Sequence, residues 1–179
     1  MQASDLRACS PERLRILEGG LDDARVVALI EFHLDTARAH TAICSDHGLD
    51  AMHLRAPDIT FWSLWDGDAL LGIGALREIS PDHGEVKSMH VAESNRRSGA
   101  GSALLRHIIE KAREKGMHRV SLETGSWDYF HPAQAFYRRH GFSECPPFAE
   151  YRPDPNSVFM SLELQSAPDA ASACSARTG

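Results

Sequence analysis

RRSGAGS, residues 96–102, joins a stretch of imperfect β-type alternation to a strongly periodic helix. Before it, Glu85–Val91 places apolar residues at Val86, Met89 and Val91, a spacing that fits a strand carrying a bulge. After it, Leu104, Leu105, Ile108, Ile109 and Ala112 recur at helical spacing. Lys111, Arg113 and Lys115 then load the last turn with positive charge, and Gly116 stops the helix. A strand, a basic glycine turn and a helix together make an anion site in principle. The first N–H groups of a helix have no internal partners, and the aligned peptide dipoles favour negative charge there. Arg96 and Arg97 can add charge-assisted hydrogen bonds. The same residues read equally as an ordinary turn and cap, and neither the P-loop pattern nor the dinucleotide fingerprint is present.

Outward from this turn, the flanking elements follow from pattern. Leu14–Glu18 suits a first strand, and Asp22-Asp23 opens an apolar-periodic helix that runs to about Thr41. Ile43–Asp58 is weakly periodic, with Leu49, Met52 and Leu54 as apolar contacts, and reads as a short helix and loop. Thr60–Asp66 and Ala69–Ile79 form a hairpin about Asp66-Gly67-Asp68. His118–Thr124 is a further strand. Pro132–His140 is a helix closed by Gly141, and Val158–Leu164 is a closing strand.

Composition bounds the rest. A chain of 179 residues, 42% hydrophobic, is long enough to bury one core, so residues 1–165 are expected to form a single domain. Residues 166–179 are small and polar and are expected to be a disordered tail. The net charge of -6 argues against broad capture of nucleic acid or anionic membrane. Arg96, Arg97, Arg106, Lys111 and Arg113 spread around a helix and do not form a nucleic-acid stripe. Cys9, Cys44, Cys145 and Cys174 lack metal-ligand or disulfide-framework spacing, which fits a reducing cytoplasm. His33, His40 and His47 recur every seven residues but lack a zinc-type pair with a carboxylate, so no metal is expected. No leader-like or membrane-spanning apolar run stands out.

With a second motif, FYRRHGF at Phe136–Phe142, the chain resembles the GNAT family of acyl-CoA-dependent N-acyltransferases. Arg96, Gly99 and Gly101 match that family's Arg/Gln-x-x-Gly-x-Gly/Ala signature, and Phe136-Tyr137 matches its aromatic-Tyr pair on the helix after the fifth strand. The resemblance spans about Leu14 to Leu164 in element order. It implies an α/β fold with a mixed, curved sheet of about seven strands, flanked by about four helices, whose fourth and fifth strands splay apart. It implies that the backbone of Met89, His90 and Val91 pairs with the pantetheine arm of acetyl-CoA. The backbone from Arg97 through Ser98, Gly99, Ala100, Gly101 and Ser102, with Arg96, would then hold the pyrophosphate.

The implied chemistry is direct attack of a neutral amine on a thioester in a ternary complex, which needs a proton acceptor, a carbonyl-polarising donor and an acid for the leaving thiolate. Glu85 and Glu123 are the two candidate bases, the Met89 amide the donor and Tyr137 the acid. Each carboxylate also reads as a solvated strand-end charge, and Tyr137 as a core phenol. Where many relatives place Asn after the fifth strand, this chain has Thr124-Gly125-Ser126-Trp127, with Ser126 as the substitute contact. The acceptor pocket is expected to be rimmed by Asp35, His40, His47, Asp50, Trp127, Asp128 and Cys145–Tyr151. The acceptor is expected to be an amine of a small molecule or peptide, and a homodimer is left open. A non-catalytic acyl-CoA sensor or scaffold is the alternative, though such a module has no chemical need for a base and Tyr137.

Overall fold

The computed structural model describes residues 14–39 and 49–164. His40 and His47, the heptad partners of His33, lie outside the described residues, as does the expected tail 166–179.

The Gly67-Asp68 turn folds β2 (Ile59–Asp66) back on β3 (Ala69–Ser80), and Pro81-Asp82 returns the chain into β4 (His83–Val91). With β1 (Leu14–Glu18) beside β2, these strands form an antiparallel half-sheet. β5 (Arg119–Gly125) joins β4 in parallel, and β7 (Ser157–Glu163) pairs antiparallel with β5. The two-residue β6 (Ser143–Glu144) completes a seven-stranded sheet of order β1-β2-β3-β4-β5-β7-β6.

Each face of the sheet carries its own core. On one, α1 (Ala24–Ala39) buries Val26, Ile30 and Leu34, spaced by four, against Phe61, Trp65, Ile73 and Ala75. On the other, α2 (Ala100–Glu114) buries Leu104, Leu105, Ile108, Ile109 and Ala112 against Trp62, Leu64, Leu76 and Val86. Tyr137 of α3 (His131–Arg139) and the following Phe142 belong to this second core. The described residues thus hold three α-helices, consistent with the expected four or so. Where a helix and loop were expected at 43–58, the described part contains a single 3-10 turn, His53–Arg55, and the Met52 and His53 N–H groups donate to Asp50 Oδ1.

Two features of β4 open the sheet. Its parallel pairing with β5 covers only His83–Glu85 opposite Arg119–Ser121, and the strands part beyond that point. The β3–β4 register also shifts between Ile73↔His90 and Ala75↔Lys87, so Ser88 and Met89 together oppose Gly74. This bulge explains the imperfect alternation of the sequence, and Ser88 sits in it at φ 48°.

Candidate functional site

The wedge between β4 and β5 is a cavity of about 740 Å³. Its walls gather most of the residues that the sequence marked: Met89, His90 and Val91 from β4, Arg96, Arg97, Gly99, Gly101 and Ser102 from the turn, Glu123 from β5 and Tyr137 from α3. Ser98, Ala100, Ser126 and Glu85 do not line it.

The turn is built to leave amides free. Ser98 Oγ donates to the Asn95 carbonyl at 2.7 Å and accepts from the Ala100 N–H at 3.3 Å, fixing the loop from below. Gly99 then occupies the N-cap position at φ 92°, a left-handed conformation costly to any residue with a Cβ, and no side chain caps the helix from there. A Cβ at Gly99 would find nothing within 4 Å, so conformation, not crowding, demands glycine. Arg97 is also left-handed, at φ 66°. Arg96 pairs with Glu93 at 3.4 Å. Buried Ala100 faces the core and can contribute only its backbone.

α3 is fastened to the first turn of α2 by His140. Its Nδ1 lies 2.8 Å from the Phe136 carbonyl, which only accepts, so Nδ1 carries the proton and Nε2 accepts from Ser102 Oγ at 3.0 Å. On the opposite wall, the Phe130 ring lies so close over Gly125 that a Cβ there would meet it at 2.2 Å. The Gly125 carbonyl accepts from Gln134 Nε2 at 2.9 Å. Tyr137 lines the cavity with its ring only 8% exposed, and burial pushes its phenol pKa up, so the hydroxyl keeps its proton at neutral pH.

The two candidate carboxylates lie in different surroundings. Glu85 has no exposed surface. Its Oε1 accepts from Tyr151 Oη at 2.6 Å, and Lys87 Nζ lies 3.3 Å from the same oxygen. Lys87 also donates to Tyr151 Oη at 2.8 Å, and Arg77 approaches Glu85 Oε2 at 3.9 Å. Burial and the Glu85 charge raise the Tyr151 phenol above its ordinary range. Glu123 faces the cavity and accepts from Ser157 Oγ at 2.7 Å. Ser126 Oγ donates to the Pro155 carbonyl at 2.7 Å, away from the cavity.

The sequence did not mark His33, Thr36 or Ala37 of α1 as walls of the β4–β5 wedge, nor Lys87, Thr124 or Phe130. His33 Nδ1 lies 3.2 Å from His90 Nδ1. Burial lowers both imidazoles to about 4, helped at His33 by His90 and Lys87 and at His90 by Arg96. The expected rim divides. Asp35 on α1 faces solvent beside Arg38, whereas Cys145–Ala149 lines a separate cavity of about 660 Å³ with His83 and Arg119. Among the described residues, no group of three or more His, Cys, Asp or Glu side chains is placed to hold a metal, and no helix is long and apolar enough to cross a membrane.

A bulged fourth strand, a splayed parallel partner and a glycine turn feeding a helix define the GNAT acyltransferase class. The Acetyltransferase (GNAT) family model matches residues 26–142, and the chain belongs to that family. It is 47% identical over 144 residues to the uncharacterized N-acetyltransferase YsnE of Bacillus subtilis, covering 80% of this chain and 95% of that one. It is 45% identical over 139 residues to the uncharacterized N-acetyltransferase YedL of Escherichia coli, covering 78% and 87%. Rv2747 of Mycobacterium tuberculosis, solved in complex with CoA and NLQ, shares the fold with a TM-score of 0.62 at 22% identity, over 84% of this chain and 98% of that one.

Proposed function

We propose that this protein transfers an acetyl group from acetyl-CoA to a primary amine of a small molecule or peptide, by direct attack in a ternary complex. The observation that carries the reading is the convergence, in one cavity, of an uncapped helix N-terminus, the parted edge of β4 and a protonated Tyr137. The chemistry of the cavity walls suits the co-substrate. Apart from Ala100, whose N–H donates to Ser98 Oγ, the amides from Arg97 to Ser102 suit a pyrophosphate, and the unpaired edge of β4 around Met89–Val91 suits an extended amide-bearing arm added like a strand. The CoA held by Rv2747 in the same fold supports the assignment.

In this reading the Met89 amide polarises the thioester carbonyl, and Tyr137 donates its proton to the departing sulfur. Glu123 is the carboxylate beside the acceptor, where its charge attracts a cationic amine, whereas Glu85 stabilises Lys87 and Tyr151 from within the sheet. Ser126 spends its hydroxyl on Pro155, so the pantetheine arm relies on β4 and the turn.

Release of free thiol from acetyl-CoA against a broad panel of amines tests the proposal. Amine-dependent release is expected. Tight CoA binding with no such release from any amine would instead favour an acyl-CoA sensor or scaffold.

A further inference from the structure

His33 and His90 come from elements 57 residues apart and meet at the cavity wall with their rings tilted by 48°. Two Nδ1 atoms at 3.2 Å share one proton: one ring donates and the other accepts. The pair therefore holds complementary tautomers. The ring that donates from Nδ1 presents a bare lone pair at Nε2, and the ring that accepts carries its proton at Nε2.

His90 is nine-tenths buried and is among the residues that line the cavity, and its buried Nε2 has no hydrogen-bond partner. A buried ring nitrogen left unpaired loses its hydration without compensation, and a bound N–H group would restore the missing partner. Its side of the sheet is also informative. His90 pairs with Ile73, which belongs to the core under α1, and Phe32 of α1 meets the His90 ring edge-on at 5.8 Å. Val91, the next residue, packs toward Gly101 and the opposite face. His90 thus faces away from the amide turn of α2, on the side that the proposed co-substrate leaves open.

We propose that His90 is the catalytic residue that takes the proton of the attacking amine at Nε2, and that His33 is the positioning partner that relays a proton outward. This rests on the acetyltransferase reading above. The amine lone pair forms the N–C bond to the thioester carbonyl carbon, and the C–S bond breaks with its electron pair on sulfur. The amine proton passes to His90 Nε2, the His90 Nδ1 proton to His33 Nδ1, and the His33 Nε2 proton to water. Tyr137 protonates the thiolate and is reprotonated from water, so amine and thioester become amide and thiol. The charged groups bearing on the pair are the cations Lys87 on β4 and Arg96 in the turn, and Glu123 on β5 lines the same cavity. Burial and these cations disfavour a lasting imidazolium, so the pair passes a proton on and does not store it.

The test uses the full chain, acetyl-CoA and the amine giving the fastest wild-type thiol release in a panel of amino acids, polyamines and aminoglycosides. His90→Gln is expected to lower kcat by at least about 10²-fold while the calorimetric Kd for CoA stays within about twofold. His90→Gly should regain turnover with added imidazole, and His33→Gln should lower kcat less and shift the pH–rate profile. Unchanged kcat in His90→Gln, or a loss reproduced only by Glu123→Gln, would overturn the relay. Nitrogen NMR of the histidine rings reads the pair without turnover: one Nδ1–H and one Nε2–H tautomer are expected, and two Nε2–H rings would refute it. A wild-type chain with complementary tautomers that binds CoA but releases no thiol with any amine would overturn the acetyltransferase reading, and the catalytic step with it.

Discussion

Glu85 has no exposed surface, yet its Oε1 lies 2.6 Å from Tyr151 Oη and 3.3 Å from Lys87 Nζ. A carboxylate so enclosed is held by its partners, and removing its charge should register in stability before catalysis. Glu85→Gln is expected to cost about 1.5–3 kcal/mol, the range for a hydrogen bond to a charged group, in urea unfolding, while kcat stays within about threefold. A kcat collapse with unaltered stability would make Glu85 the proton acceptor after all. Tyr137 should behave in the opposite way. Its hydroxyl stays protonated because burial disfavours the phenolate, and Tyr137→Phe removes the donor while leaving the ring. A kcat loss of about 10²-fold with CoA affinity preserved is expected in thiol-release and calorimetric measurements. Unchanged turnover at saturating acetyl-CoA would reduce Tyr137 to packing.

At the level of elements, the turn before α2 shows how local rules make a binding surface. Gly99 at φ 92° lets the chain enter the helix without a side chain over the first amides. Gly99→Ala is expected to cost about 1–2 kcal/mol for the left-handed backbone and to weaken CoA binding, read by thermal melting and calorimetry on the same sample. Loss of stability without loss of affinity would mean that the amides of α2 do not hold the pyrophosphate. This element was legible because its signals are local: paired glycines, a preceding alternation and a following period of 3.6. β6 was not, since two residues, Ser143 and Glu144, carry no period at all. The bulge was legible only as a fault in alternation. That fault allowed a bulge within Glu85–Val91 without placing it, whereas the structure sets Ser88 and Met89 together opposite Gly74.

Across the whole molecule, what stayed hidden is whatever depends on two distant stretches meeting. Element order followed from local pattern, and the wedge between β4 and β5 from the family resemblance that the two motifs carry. The Lys87–Tyr151–Glu85 cluster spans 66 residues, the His140–Ser102 tie 38 and the His33–His90 pair 57, and no local pattern reports them. The histidine pair has a consequence for the entire fold. In the unfolded chain both rings titrate near about 6.5, whereas in the folded protein burial holds them neutral down to about 4. As pH falls through that window the unfolded state binds more protons, so stability is fully present above about 6.5 and drains away toward 4, levelling off below. His83 and His107, also lowered chiefly by burial, act in the same sense. His90, at 9% exposure, should by itself contribute on the order of 2 kcal/mol of the loss between about pH 7.5 and about pH 5. Urea unfolding of wild type and His90→Gln at those two pH values isolates it, because Gln does not titrate. The variant should lose correspondingly less stability on acidification, and equal losses in the two proteins would show that the folded state does not hold His90 neutral.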